Sequence, residues 1–106
     1  MARIIKGVKY YPVSERIRFG LESMREHARY MVECEFPDGN ISLEDCEMWE
    51  DLADECEKLM DKGGWLCWKD YSRAKEITID REFIRYHRCL AAGMSERDAG
   101  QALGNF

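Results

Sequence analysis

Apolar positions between residues 42 and 64 recur every three or four residues, which predicts an amphipathic helix. At about 100° per residue, seven apolar side chains fall within one arc: Cys46, Trp49, Leu52, Ala53, Cys56, Leu59 and Met60. Ser42 is a suitable N-cap and is followed by acidic residues in the first turn. The paired Gly63 and Gly64 provide the left-handed exit typical of a helix end. We predict a helix over residues 42–62 with its apolar arc in the core.

The opposite face of this helix is acidic and contains only two lysines, Lys58 and Lys62. Like charges three or four residues apart each cost a few tenths of a kcal/mol. Two interpretations follow: the face keeps the protein in solution, or it binds a basic partner. The residues expected to make contact with such a partner are Glu44, Glu47, Glu50, Asp51, Asp54, Glu55 and Asp61.

A second apolar stripe follows Ser14 at spacings of four and three residues: Ile17, Leu21, Met24, Ala28 and Met31. It predicts a helix over residues 14–28 that packs against another helix of the same chain. A homodimer formed through the same five side chains is the alternative. Beyond Ala28 the apolar residues alternate, which favours a strand to Phe36, although a helix continuing to Cys34 is also compatible. The sequence PDGN at 37–40 predicts a turn.

Three further segments are rich in β-branched and aromatic residues and are expected to form strands. The first is 3–11, where Gly7 weakens the strand or marks a bulge. The others are 65–71 and 76–79, which we expect to pair as a hairpin through the loop 72–75.

Asp80 is the expected N-cap of a third helix over residues 80–92. Its predicted inner face contains Phe83, Ile84, His87, Leu90 and Ala91, and its predicted outer face carries Arg81, Arg85 and Arg88. Ser95 begins a capping box for a short C-terminal helix. The predicted fold class is α+β: one domain over residues 1–106, with about four short strands in an antiparallel or mixed sheet covered by three helices plus the short last one.

Charge is distributed unevenly within the net charge of −5. Residues 32–62 carry twelve acidic and two basic groups, whereas residues 1–31 carry three acidic and seven basic groups. Direct nucleic-acid binding is therefore not expected of the molecule as a whole. No apolar run approaches the roughly 20 residues needed to cross a bilayer, and no signal peptide is recognisable, so a cytoplasmic location is expected.

The sequence contains no recognisable catalytic motif. Walker-type loops, GxGxxG, HExxH and GxSxG are absent, and there are only two histidines. The five cysteines are spread over five segments without a CxxC pair, so neither a metal site nor a cofactor is predicted. We predict that the protein is not an enzyme.

The preferred hypothesis is a small acidic binding protein, expected to be an inhibitor. Its acidic helix would dock on a basic, nucleic-acid-binding surface of a partner, because carboxylates one helical turn apart imitate successive phosphates. Phage proteins that inhibit bacterial defence, including anti-CRISPR proteins, provide an analogy in size and charge only. The alternative is a regulatory nucleic-acid-binding module that uses Arg81, Arg85 and Arg88 together with the aromatic residues of 65–71, Trp68 among them.

Overall fold

The fold combines a small antiparallel sheet with three helices, which confirms the predicted α+β class. It was obtained as a computed structural model that describes residues 2–97, so most of the predicted C-terminal helix lies outside the described residues. The regular elements are β1 (Arg3–Ile5), β2 (Val8–Pro12), α1 (Glu15–Tyr30), α2 (Leu43–Asp61), β3 (Trp65–Cys67) and α3 (Trp68–Ala91).

The sheet has three strands within the described residues, in the order β1-β2-β3, rather than the predicted four. The predicted single strand over 3–11 is a hairpin, because Lys6 and Gly7 adopt φ values of 51° and 80° and reverse the chain. Gly7 is therefore part of a turn and not of a bulge. Antiparallel pairing places Tyr11 opposite Leu66 of β3.

The first helix begins at the predicted cap, where the Ser14 hydroxyl accepts a hydrogen bond from the Ile17 N–H at 3.2 Å. It does not end at Ala28, and the strand predicted to Phe36 is wrong. The chain continues helically through a π-helical segment, Met31–Glu35, as the alternative interpretation proposed. Helical hydrogen bonds satisfy this backbone, including Phe36 N–H to the Met31 carbonyl at 2.9 Å, without requiring a neighbouring strand.

The largest departure from the sequence prediction is α3. Residues 68–79 were expected to complete a β-hairpin, and Asp80 was expected to begin a helix, but one helix runs through all of them. Ala74, Ile77 and Thr78 lie at helical spacing and are buried against the other elements. Tertiary packing therefore overrides the strand propensity of the aromatic and β-branched residues in this segment.

The core lies where the three helices and β3 meet. α1 contacts both α2 and α3, whereas α2 and α3 contact each other at few positions. The core side chains are Ile17, Leu21, Met24, Cys56, Leu59, Leu66, Ala74 and Ile77. Because Ile17, Leu21, Met24 and Ala28 are at most 2% exposed within one chain, they are not available for the homodimer proposed as an alternative, and Met31 is half-buried beside them.

Candidate functional site

The acidic face of α2 is exposed to solvent, as its sequence predicts. Ser42 caps the helix by accepting a hydrogen bond from the Asp45 N–H at 3.1 Å. Cys46, Ala53, Cys56 and Leu59 are buried on one side, which fixes the rotation of the helix and turns the acidic arc outwards. We define the acidic surface as the five exposed carboxylates Glu44, Glu47, Glu50, Asp51 and Asp54.

Two neighbouring glutamates are neutralised by arginines of the other helices. Arg73 of α3 donates two hydrogen bonds to the Glu55 carboxylate, both at 2.8 Å. These bonds hold the pKa of Glu55 below its usual value. On the other flank, Arg29 of α1 pairs with Glu57. Glu55, predicted as a partner-binding residue, is thus engaged in linking α2 to α3.

The carboxylates of the acidic surface itself form no ion pair within residues 2–97. Asp61, the seventh predicted contact residue, is also exposed but lies two helical turns beyond Asp54. The structure therefore brings together five of the seven predicted residues, separates Asp61 and assigns Glu55 to an internal ion pair.

An open groove of about 510 Å³ runs beside the acidic surface. Its lining combines carboxylates with apolar side chains and one arginine: Glu44, Glu47, Met48, Asp51, Leu52, Glu55 and Arg73. Sequence reasoning missed Met48, which is 53% exposed. Its position in the middle of the acidic arc was the available signal, because an exposed methionine provides an adaptable apolar contact.

Of the arginines of the alternative hypothesis, Arg85 and Arg88 are exposed, as predicted, but Arg81 does not belong to an outer face. Arg81 is half-buried, and its Nε donates to the Ser23 carbonyl oxygen of α1 at 3.3 Å. Arg85 lies 5.8 Å from the Phe19 ring, again on α1. The predicted inner and outer faces of this helix are thus partly exchanged, with Phe83, His87 and Ala91 exposed.

Trp68 is separated from these arginines. Arg81 is thirteen residues after Trp68 in the helix, which separates the two by about 20 Å along the axis. Trp68 instead contacts Tyr11 and Tyr71, with ring centroids 5.3 and 6.2 Å away. The arginines and Trp68 therefore do not form one site.

We expect His27 of α1 to make the free energy of unfolding depend on pH. Burial, and then the positive charges of Arg81 and Arg88, lower its pKa below the usual 6.5. The unfolded chain therefore takes up this proton more readily, so the free energy of unfolding should fall as the pH drops below about 6.5. We expect urea midpoints to decrease from pH 7 to pH 5, and to decrease less in His27→Gln.

The pH range of the loss separates the contribution of His27 from that of the ion-paired carboxylates. Ion pairing lowers the pKa of Glu55 and Asp70 below usual values of 4.5 and 3.8, so their contribution to stability is lost only at lower pH. An equal pH dependence in the wild type and in His27→Gln between pH 7 and pH 5 would contradict the assignment.

The cysteines are free, and burial raises the pKa of Cys56 to about 11, which disfavours its thiolate. Among residues 2–97, no three histidine, cysteine, aspartate or glutamate side chains are placed to hold a metal ion. None of the helices formed by residues 2–97 has an apolar stretch of the length that a bilayer span requires. Comparison with protein-family models, curated proteins and solved structures found no match.

Proposed function

We propose that this chain is a small inhibitory binding protein whose acidic surface on α2 docks on a basic surface of another protein. The observation that supports this most directly is the contrast within α2. Glu55 and Glu57 are neutralised by Arg73 and Arg29, while five neighbouring carboxylates remain exposed and unpaired within the described residues. Those five are available for a basic partner.

The spacing of these carboxylates resembles that of a nucleic-acid strand. Glu44 and Asp54 are ten residues apart, so the five charges extend over about 15 Å of helix axis, one for every 3 to 4 Å. One strand of DNA carries a phosphate for about every 3.4 Å of axis. A nucleic-acid-binding groove is therefore the kind of basic surface that we propose as the target.

The groove beside the acidic surface adds apolar contact to the charge. Met48 and Leu52 lie among Glu47, Asp51 and Glu55. A partner arginine would lay its apolar stem on Met48 and place its guanidinium between carboxylates. By analogy of size and charge with phage inhibitors of bacterial defence, we propose a bacterial cytoplasmic partner.

Charge reversal tests this function. In the variant Glu44→Lys, Glu47→Lys, Asp51→Lys, the acidic surface loses three carboxylates while the Glu55–Arg73 pair stays intact. We expect this variant to lose at least tenfold in partner affinity, since like charges now face the basic surface. The measurement is affinity capture from a bacterial lysate, followed by titration of the captured protein.

The matched control makes the same change in charge elsewhere. Glu22→Lys, Glu26→Lys, Asp80→Lys replaces three exposed carboxylates on α1 and α3. This control should retain the partner, and nucleic acid added to the complex should displace the wild-type protein. Capture of the same proteins by both triple variants would count against a role for the acidic surface.

A further inference from the structure

The edge of the sheet at β1 has no covering element. Among the elements that the structure describes, β1 contacts β2 and no other, and residues 2–9 are all exposed. Ile4 is 73% exposed and Ile5 is 54% exposed, so neither isoleucine belongs to the core. An exposed edge strand with apolar side chains is a template for pairing with another chain. We call the four residues Arg3, Ile4, Ile5 and Lys6 the edge segment.

The turn at Lys6 and Gly7 determines which backbone groups face outwards. Both residues have positive φ, as in the type I′ turn of a two-residue hairpin loop. Ile5 and Val8 flank this loop opposite each other and form the hydrogen-bonded pair closest to the turn. Because hydrogen-bonded and non-hydrogen-bonded pairs alternate along an antiparallel ladder, the next pair is not hydrogen-bonded. The N–H and carbonyl groups of Ile4 therefore point away from β2, towards the open edge.

The edge is positively charged, although the whole chain is acidic. The first fourteen residues carry Arg3, Lys6 and Lys9 and no carboxylate. None of these three cations takes part in an ion pair in the part of the chain that the structure describes. The Arg3 guanidinium lies 4.8 Å from the centre of the Trp65 ring, and the Lys9 Nζ atom lies 5.4 Å from the Tyr11 ring. Aromatic rings accompany these cations without cancelling their charge, so the edge favours an acidic partner.

A second copy of the same chain fits this edge less well than an acidic strand does. Antiparallel pairing of two β1 strands about Ile4 would place Ile4 opposite Ile4, and Arg3 opposite Ile5, of the second copy. No acidic side chain would then face a cation, and the positive charges of both hairpins would be brought together. Like charges in adjacent strands repel each other, so the charge of the edge disfavours self-pairing.

From this charge and geometry we propose that the edge segment binds an extended acidic strand of another protein, which pairs with β1 as an additional strand of the sheet. Main-chain hydrogen bonds to Ile4 hold the added strand, and its side chains provide specificity. Ile4 and Ile5 lie on opposite faces of the sheet, so each meets one apolar residue of the partner.

The order of residues in the edge segment specifies the sequence of its partner. The segment reads basic, apolar, apolar, basic, so the complementary strand carries two apolar residues flanked by acidic ones. This pattern is the same in both directions and fits a parallel or an antiparallel strand. The edge segment shares no residue with the acidic surface of α2, so binding at the edge is independent of the proposed inhibitory function.

Peptide titration followed by two-dimensional NMR of the isotope-labelled protein tests this proposal at low salt. The probe is the peptide acetyl-Thr-Glu-Val-Val-Glu-Thr-amide. One comparison peptide has lysine in place of both glutamates, and a second has N-methyl groups on both valines, which remove backbone donors and keep the side chains. We expect the acidic probe to shift the amide signals of residues 3–8, that of Ile4 most strongly, because its N–H gains an acceptor. The lysine peptide should bind about tenfold or more less tightly, and the N-methylated peptide about fivefold or more less tightly.

Variants assign the binding to the edge segment. Arg3→Glu, Lys6→Glu should bind the acidic probe about tenfold or more less tightly and should bind the lysine peptide instead. The matched control Lys58→Glu, Arg88→Glu makes the same change in charge at two exposed positions distant in sequence, and its affinity should stay within about twofold because salt screens remote charges. Ile4→Pro removes the outward N–H at an edge position, where proline is tolerated, and should weaken binding about fivefold or more, whereas Ile4→Val keeps the N–H and most of the affinity.

Absence of shifts in residues 3–8 of the natively folded protein at millimolar probe would overturn the proposal. Equal affinity for the acidic and lysine peptides, or an unchanged affinity for the N-methylated peptide, would do the same. The N-methylated peptide removes hydrogen bonds from the side of the ligand, so the test remains decisive if Ile4→Pro does not fold. Dimerisation that shifts the same signals without peptide would assign the edge to a second copy instead. Binding lost in the triple variant of the acidic surface would contradict the independence of the two sites.

Discussion

Replacing Leu66 with alanine is expected to lower the free energy of unfolding by about 2 to 5 kcal/mol. Leu66 is 1% exposed, and among the described strand residues it is the one that belongs to the buried core cluster. Truncation removes apolar contacts with the helices and leaves a cavity that the small sheet cannot refill. Because β3 leads directly into α3, the loss should also loosen the attachment of the sheet to the helices.

Urea denaturation followed by circular dichroism measures this effect, and Leu43→Ala is the matched control. Leu43 undergoes the same chemical change but is 62% exposed at the beginning of α2. We expect the control to change the free energy of unfolding by no more than about 0.5 kcal/mol. Equal losses in the two variants would mean that Leu66 is not the anchor of the sheet.

The parts of the fold that the sequence predicts well have strong local signals. In α2 the cap at Ser42, the apolar spacing and the glycine exit at Gly63, with φ of 90°, all act within the segment itself. The acidic arc then follows from the rotation of the helix. This is why the exposure of Glu44, Glu47 and Asp51 was predictable.

The segment 65–79 shows where local signals fail. Trp68, Tyr71, Ile77 and Ile79 have strand propensity, and the helical spacing of Ala74 and Ile77 is decisive only once α1 is present to cover them. The wrong strand prediction also misplaces the side chain of Trp68 relative to that of Tyr71. On a strand, residues 68 and 71 point to opposite faces, whereas on a helix they share one.

The pairing of Glu55 was unpredictable for the same reason. Arg73 was assigned to a hairpin loop, so no helix was expected beside α2 at that position. In the structure Arg73 lies one helical turn after Lys69 in α3, and its guanidinium donates hydrogen bonds to the Glu55 carboxylate. Assigning an acidic residue to partner binding therefore requires the tertiary position of the nearest arginine, which spacing along the sequence does not provide.

Replacing Gly20 with valine is expected to cost about 1 to 3 kcal/mol or more, although it removes a glycine from the interior of a helix. Gly20 is buried where α1 crosses α3. A Cβ at this position would lie 2.7 Å from the Cβ of Thr78 and nearer still to its Oγ1 and Cγ2 atoms. The helices would have to separate to admit the side chain.

Double-mutant analysis distinguishes this steric conflict from a general effect of valine in the helix. Thr78→Ala alone removes a buried methyl group and the hydrogen bond from Thr78 Oγ1 to the Ala74 carbonyl at 2.8 Å, and should cost about 1 to 2 kcal/mol. In Gly20→Val, Thr78→Ala the two nearest atoms are gone, so the double variant should be more stable than the sum of the single losses predicts. Strict additivity in urea denaturation would show that α1 and α3 do not meet closely at these residues.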